Sequence, residues 1–163
     1  VFRLTNRVDP EFLWAMLYEA AFWRDSGEEE RPALDDAKAD RSFARYVEGW
    51  GREGDAALVA LDRHDEAIGA AWYRTFAADD AGYGFISSEI PELSIGVYPE
   101  FRGSGLGSLL LGSLIVRARA HDVGALSLSV AADNPAHRLY LKLGFVDVAH
   151  DAGGSITMQL VIT

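Results

Sequence analysis

The sequence predicts a mixed sheet covered by helices, an α/β or α+β fold, on three observations. Leu126, Leu128 and Val130 alternate with Ser127 and Ser129, the two-residue period of a strand with one buried face. Leu106, Leu109, Leu110 and Leu114 recur at three- and four-residue steps, the period of a helix with one apolar face. Strand, helix, strand, helix and strand then follow one another through the second half, with hairpins on either side.

A short strand is expected near Phe2–Thr5. Asp9-Pro10-Glu11 opens a helix, because Asp caps and Pro suits a first turn. Phe12, Met16 and Phe22, with Leu13 and Leu17 alongside, supply its apolar face. Residues 25–32 are charged and read as a loop. Leu34 to Trp50 reads as one second helix, with Phe43, Tyr46, Val47 and Trp50 at helical spacing. Ala56–Leu61 and Ala67–Phe76 form a hairpin across Asp62–Glu66, and Ala77–Ser88, broken by Gly82 and Gly84, reads as an irregular flap. Glu92–Val97 is a strand, Pro99–Gly105 a turn and Leu106–His121 a helix. Ala125–Val130 is a strand, and Asn134-Pro135 starts a helix that Gly144 ends. Phe145–His150 and Ser155–Ile162 pair across Asp151–Gly154.

With 163 residues, no linker and no internal repeat, residues 1–163 are expected to form one domain. The 49% of hydrophobic residues suffices for a core without staples. The absence of cysteine excludes disulfides, thiol nucleophiles and Cys-ligated zinc, and fits a cytoplasmic setting. Leu109–Val116 is too short to span a bilayer, so no membrane role is expected. A net charge of −10 argues against nucleic acid; it would help attract a cationic amine, but solubility by itself accounts for it. His64, His121, His137 and His150 lack ligand spacing, so no metal is expected. No Gly-x-Ser-x-Gly elbow is present for a serine hydrolase.

The chemistry concentrates in Arg102-Gly103-Ser104-Gly105-Leu106-Gly107, between a strand and a long helix. Alternating glycines let backbone N–H groups turn toward a ligand, and the helix N-terminus adds its dipole. With the Arg102 charge this makes a pyrophosphate cradle. Ser108 stands where a dinucleotide-binding fingerprint needs glycine. Ser113 stands where a P-loop needs lysine.

The six residues resemble the Arg/Gln-x-x-Gly-x-Gly/Ala signature of the GNAT superfamily of acyl-CoA-dependent N-acyltransferases. Glu92–Arg102 is similar to that family's central strand and its turn, and Asn134–Phe145 to its asparagine, tyrosine and Gly-Phe segment. The resemblance implies a mostly antiparallel sheet splayed at the central strand, and acetyl-CoA as the acyl donor. It assigns Ile95 and Val97 to the pantetheine arm through backbone groups, with Asn134 also on the arm and residues 102–107 on the diphosphate. Tyr140 is then the acid that protonates the departing thiolate, set beside a core stripe of Leu139 and Leu143. The base is Glu92, with Glu89 or a water relay as alternatives. Trp14, Tyr18, Phe22, Trp23, Tyr46, Trp50 and Tyr83, with acidic residues from Glu28 to Asp40, are candidates for an amine pocket. The expected function is acetyl transfer to the primary amine of a small molecule. A protein N-terminus or lysine as acceptor, and a non-catalytic acyl-CoA sensor, remain open. A homodimer is implied by resemblance only.

Overall fold

A computed structural model describes residues 2–24 and 31–163. The segment 25–30, within the expected loop, lies outside the described residues, as does Glu28. Seven strands form one sheet: β1 (Arg3–Thr5), β2 (Ala56–Leu61), β3 (Ala67–Arg74), β4 (Glu92–Val97), β5 (Ala125–Ala131), β6 (Val146–His150) and β7 (Ser155–Val161). Their spatial order is β1-β2-β3-β4-β5-β7-β6. All neighbours are antiparallel except β4 and β5, which are parallel. That pair has a single ladder position, Glu92 opposite Ser127, whereas β3 and β4 pair along six. The sheet therefore splays between its fourth and fifth strands.

Alternation along each strand builds a core on both faces. On β2, Ala56 and Ala60 face one cluster, and Ala57 and Val59 the other. Helix α4 (Leu106–Ala120) covers the first face with Leu106, Leu110, Leu111, Leu114, Ile115 and Ala118. Leu109, expected on that stripe, is 40% exposed, because the buried arc is centred on the 110, 111 and 114 rows. Helix α1 (Pro10–Ala21) covers the second face with Leu13, Met16 and Leu17. Its start is as expected: the Asp9 side chain accepts the Glu11 N–H (3.1 Å).

The helix expected over 34–50 is two short ones, α2 (Leu34–Lys38) and α3 (Arg41–Ala44). Asp40 restarts the chain: its carboxylate accepts the Ser42 N–H, a cap that competes with continuing the first helix. Beyond α3 a buried hub holds the turns. The Arg74 guanidinium, 1% exposed, forks onto Asp55 (2.7 and 3.1 Å) and donates to the carbonyls of Arg45 (2.9 Å) and Glu48 (2.8 Å).

The segment read as a flap is fastened instead. Asp80 pairs with Arg41 and with Arg45 (3.3 Å), and the Gly84 N–H is donated to Glu92. Phe76, expected in a strand, lies beyond the end of β3 and is buried against Tyr46.

Candidate active site

The splay opens a cavity of about 1000 Å³ that runs beside β4 from its Glu92 end to the bend at Arg102–Gly107. At the bend Gly103 (φ 75°) and Gly105 (φ 85°) adopt the left-handed conformation that other residues avoid. No side chain caps α4, whose preceding residue is Gly105. Among the described residues, none of the backbone N–H groups from Gly103 through Ser108 finds an acceptor in the protein. Six successive unpaired donors at the positive end of a fifteen-residue helix suit a multiply charged phosphate group.

The Arg102 side chain lines the same end and is held by Glu19 (3.4 Å). Glu19 in turn receives Arg31 (3.6 Å), so a partly buried carboxylate sits between two guanidinium groups. The sequence pattern did not single out Glu19, because its partner lies 83 residues away.

The strand edge is the second element. Tyr98 donates its N–H to Ile68 on the β3 side (3.1 Å). N–H directions alternate along a strand, so those of Val97 and Ile95 point to the opposite edge, where β5 has departed. Ser94, Ile95 and Val97 are accordingly only half-buried on a central strand. Gly96 has a different reason from the expected ligand approach. A Cβ there would overlap the Met16 carbonyl, with the Met16 carbonyl carbon only 2.7 Å away, so glycine lets α1 lie directly on β4.

Helix α5 (Ala136–Lys142) flanks the opposite wall. Asn134 Oδ1 accepts the Ala136 N–H (2.9 Å), which leaves its amide donors toward the cavity it lines. Tyr140 is the buried residue of this helix, 7% exposed, while Leu139 and Leu143 are only half-buried. That reverses the expected arrangement: α5 leans on the sheet through Tyr140, whose ring meets Phe145 edge-on at 6.0 Å. The Tyr140 ring lines the cavity and its hydroxyl makes no hydrogen bond to the described protein. Burial pushes its pKa above the usual phenol value, so the group keeps its proton at neutral pH.

Glu92 closes the far end, 2% exposed. Its Oε1 accepts the Gly84 N–H, while Oε2 is buried with no partner of hydrogen-bond geometry. The Tyr46 hydroxyl, which accepts the Tyr83 N–H (2.8 Å), lies close to the same carboxyl. Burial raises the Glu92 pKa from 4.5 to about 7; Tyr46, the Gly84 N–H and the Arg45 charge oppose the rise. Gly82 and Gly84 make this packing possible, since a Cβ at Gly82 would lie 2.8 Å from the Tyr46 hydroxyl and one at Gly84 2.7 Å from the Leu128 carbonyl oxygen. Glu89, the alternative base, is exposed and lies off the cavity.

The structure thus brings Glu92, Ile95, Val97, Arg102, Gly103 and Gly105 to one cavity, together with Gly107, Asn134 and Tyr140. Two expected residues contribute no side chain. Leu106 is buried in the core at 1% exposure, and the Ser104 hydroxyl turns back to donate to the Phe101 carbonyl (2.6 Å), so each offers only its N–H. Of the aromatic candidates, Phe22, Trp23, Tyr46 and Tyr83 line the cavity. Trp14, Tyr18 and Trp50 do not. Trp14 stacks on Phe43, Tyr18 donates to the Pro32 carbonyl (2.8 Å), and Trp50 lies against Arg74.

A chain with this sheet and this cavity has known counterparts. Over 63 residues it is 38% identical to the ribosomal protein bS18 alanine N-acetyltransferase of Haemophilus influenzae, covering 39% of this chain and 43% of that one. Over 101 residues it is 35% identical to the L-methionine sulfoximine/L-methionine sulfone acetyltransferase of Pseudomonas paraeruginosa, covering 61% and 56%. The matched region spans about half the length of these curated relatives. The fold superposes on the phosphinothricin acetyltransferase of Sinorhizobium meliloti, solved with acetyl-CoA, with a TM-score of 0.70 at 23% identity over 99% of this chain and 88% of that one. Residues 14–145, from the first helix to the end of the tyrosine segment, match the Acetyltransferase (GNAT) family, and the chain belongs to it.

Proposed function

We propose that the protein transfers an acetyl group from acetyl-CoA to the primary amine of a small molecule, by direct attack within a ternary complex. One observation carries the reading: acceptorless amides, an open strand edge, a buried phenol and a buried carboxylate line the same cavity. Relatives act, by their names, on a ribosomal protein and on L-methionine sulfoximine, so family membership leaves the acceptor open. The cavity, about 1000 Å³ and partly open to solvent, has to hold a pantetheine arm as well as the acceptor, and the room left over suits a small one.

The donor supplies an activated acyl group and a thiol leaving group. Residues 103–108 bind its diphosphate through their N–H groups, with Arg102 adding charge. The N–H groups of Ile95 and Val97 orient the pantetheine arm as a neighbouring strand would, and the Val97 N–H polarises the thioester carbonyl. An alkylammonium has a pKa of about 10.4, so the acceptor arrives protonated and must lose a proton before attack. Glu92 receives that proton, directly or through water, since a pKa of about 7 leaves about half of the molecules ionised at neutral pH. As the C–S bond breaks, the Tyr140 hydroxyl gives its proton to the sulfur and is reprotonated from solvent.

Two measurements test this. Calorimetric titration with acetyl-CoA is expected to show one site, and release of free thiol is expected with an amine present. In Tyr140→Phe, kcat is expected to fall roughly 100-fold with acetyl-CoA affinity nearly unchanged. Full kcat in that variant rules out the acid role, and absence of acetyl-CoA binding rules out the donor.

A further inference from the structure

The Glu92 end of the cavity is aromatic and acidic. Phe22 and Phe43 lie with ring centroids 6.3 Å apart, and Tyr46 bridges from Tyr83 toward Glu92. Asp40, also lining the cavity, is exposed at its rim. One Asp40 oxygen accepts both the Ser42 N–H (2.9 Å) and the Ser42 hydroxyl (2.8 Å), while Oδ2 makes no hydrogen bond among the described residues. Those two bonds hold the Asp40 carboxyl below its usual range, so it is fully ionised. Deeper in, Oε2 of Glu92 is buried and unpartnered.

Uncommitted positive charge is scarce at this end among the described residues. Among the described lining residues only Arg102 is cationic, and it sits at the glycine bend on Glu19. Of the nearby arginines, Arg24 pairs with Asp133 (2.7 Å) and Arg31 with Glu19, while Arg45, whose charge reaches both Asp40 and Glu92, is paired with Asp80 (3.3 Å) and donates to the Ala81 carbonyl. Residues 25–30, Asp-Ser-Gly-Glu-Glu-Glu, carry no lysine or arginine in their sequence. A carboxylate brought in on the acceptor would meet aromatic rings and two carboxyl groups, with the nearest guanidinium, Arg45, already paired to Asp80, an arrangement that disfavours a further buried anion. A second ammonium would meet ring faces and a free carboxylate oxygen, both of which attract it. The net charge of −10 steers the same class of molecule inward.

We propose that the acceptor is a diamine or longer polyamine without a carboxylate, one nitrogen reacting beside Glu92 and a second ammonium held by Asp40 and the faces of Phe22 and Phe43. This rests on the acetyl-transfer reading above. The reacting ammonium first gives one proton to Glu92; the nitrogen then forms the N–C bond, the C–S bond breaks, the thiolate takes the proton of Tyr140, and the nitrogen's second proton leaves to solvent, from which Tyr140 is reprotonated. The products are a mono-N-acetylated polyamine and free coenzyme A.

The test uses acceptors matched in their carbon chain. Thiol release is measured at saturating acetyl-CoA with 1,5-diaminopentane and spermidine, with pentylamine, which lacks the second amine, and with lysine, which adds a carboxylate. The better polyamine is expected to exceed both pentylamine and lysine by about ten-fold or more in kcat/KM. Asp40→Asn keeps a good helix cap and is expected to narrow the gap over pentylamine, chiefly through KM. Pentylamine or lysine equalling the polyamines, or an unchanged gap in Asp40→Asn, overturns the acceptor class and leaves acetyl transfer standing. No thiol release with any of them, while acetyl-CoA binds, overturns both.

Discussion

Glu92 illustrates how a single side chain takes its chemistry from its surroundings. A strand-end carboxylate is ordinarily solvated and fully ionised at pH 7. Here Gly82 and Gly84 let a loop close over it, and burial outweighs the two hydrogen-bonding groups and the Arg45 charge that favour ionisation. The sign of the consequence follows. The folded protein keeps the Glu92 proton up to about pH 7, whereas the unfolded chain loses it near 4.5. Stability from this group is therefore present below pH 4.5 and lost as pH rises through 7, by about 3 kcal/mol in all. In Glu92→Gln, urea unfolding is expected to show a gain relative to the parent on going from pH 5 to pH 8. The same variant is expected to lose the bend near pH 7 in log kcat/KM against pH, and to lose roughly 100-fold or more in rate above it. A parent profile that runs straight through pH 7 would exclude Glu92 as the base.

The elements around the cavity are held by contacts between distant segments. Helix α1 lies on β4 because Gly96 has no side chain, and Met16 offers its backbone to that gap. Gly96→Ala is expected to lift the helix from the strand and cost about 1–3 kcal/mol in denaturant unfolding, with weaker acetyl-CoA binding because the strand edge shifts with it. A stability unchanged within about 0.5 kcal/mol would show that the helix yields at no cost. The turns after α3 depend likewise on Arg74, which crosses from β3 to satisfy two carbonyls and Asp55. Four guanidinium hydrogen bonds converge there because no regular element pairs those carbonyls.

The molecule as a whole is two sheet segments, β1–β4 and β7–β6 with β5, joined by a single ladder position. Donor binding along the open edge would supply the strand pairing that β5 withholds. Acetyl-CoA is therefore expected to raise Tm with the logarithm of its concentration and to slow amide exchange at Ile95 and Val97. A shift in Tm with no added protection on β4 would place the ligand elsewhere. On the proposed reading, the net charge of −10 would act at longer range and speed encounter with cationic acceptors. Raising salt is thus expected to lower kcat/KM for such acceptors more than for neutral ones.

Local signals carried the secondary structure wherever one short-range pattern acted alone. The hairpin 56–61 and 67–74, the strand 92–97 and the glycine bend before α4 follow from alternation, leucine spacing and glycine placement, all of which act within a few residues. The single helix expected over 34–50 failed where two local preferences competed, and the Asp40 cap won over apolar periodicity. Tyr140 shows the limit from the other side: helical spacing identified its neighbours, but which face of α5 turned inward depended on how the helix met Phe145 and the sheet. The glycine-punctuated run was enough to locate the bend with its row of unpaired amides, because those amides come from consecutive residues. The buried state of Glu92, the Glu19 clasp on Arg102 and the sorting of aromatic residues into cavity or core depend on partners from 8 to more than 80 residues away. Those distances are closed only by the packed fold, so the Glu92 end of the cavity was decided by tertiary structure.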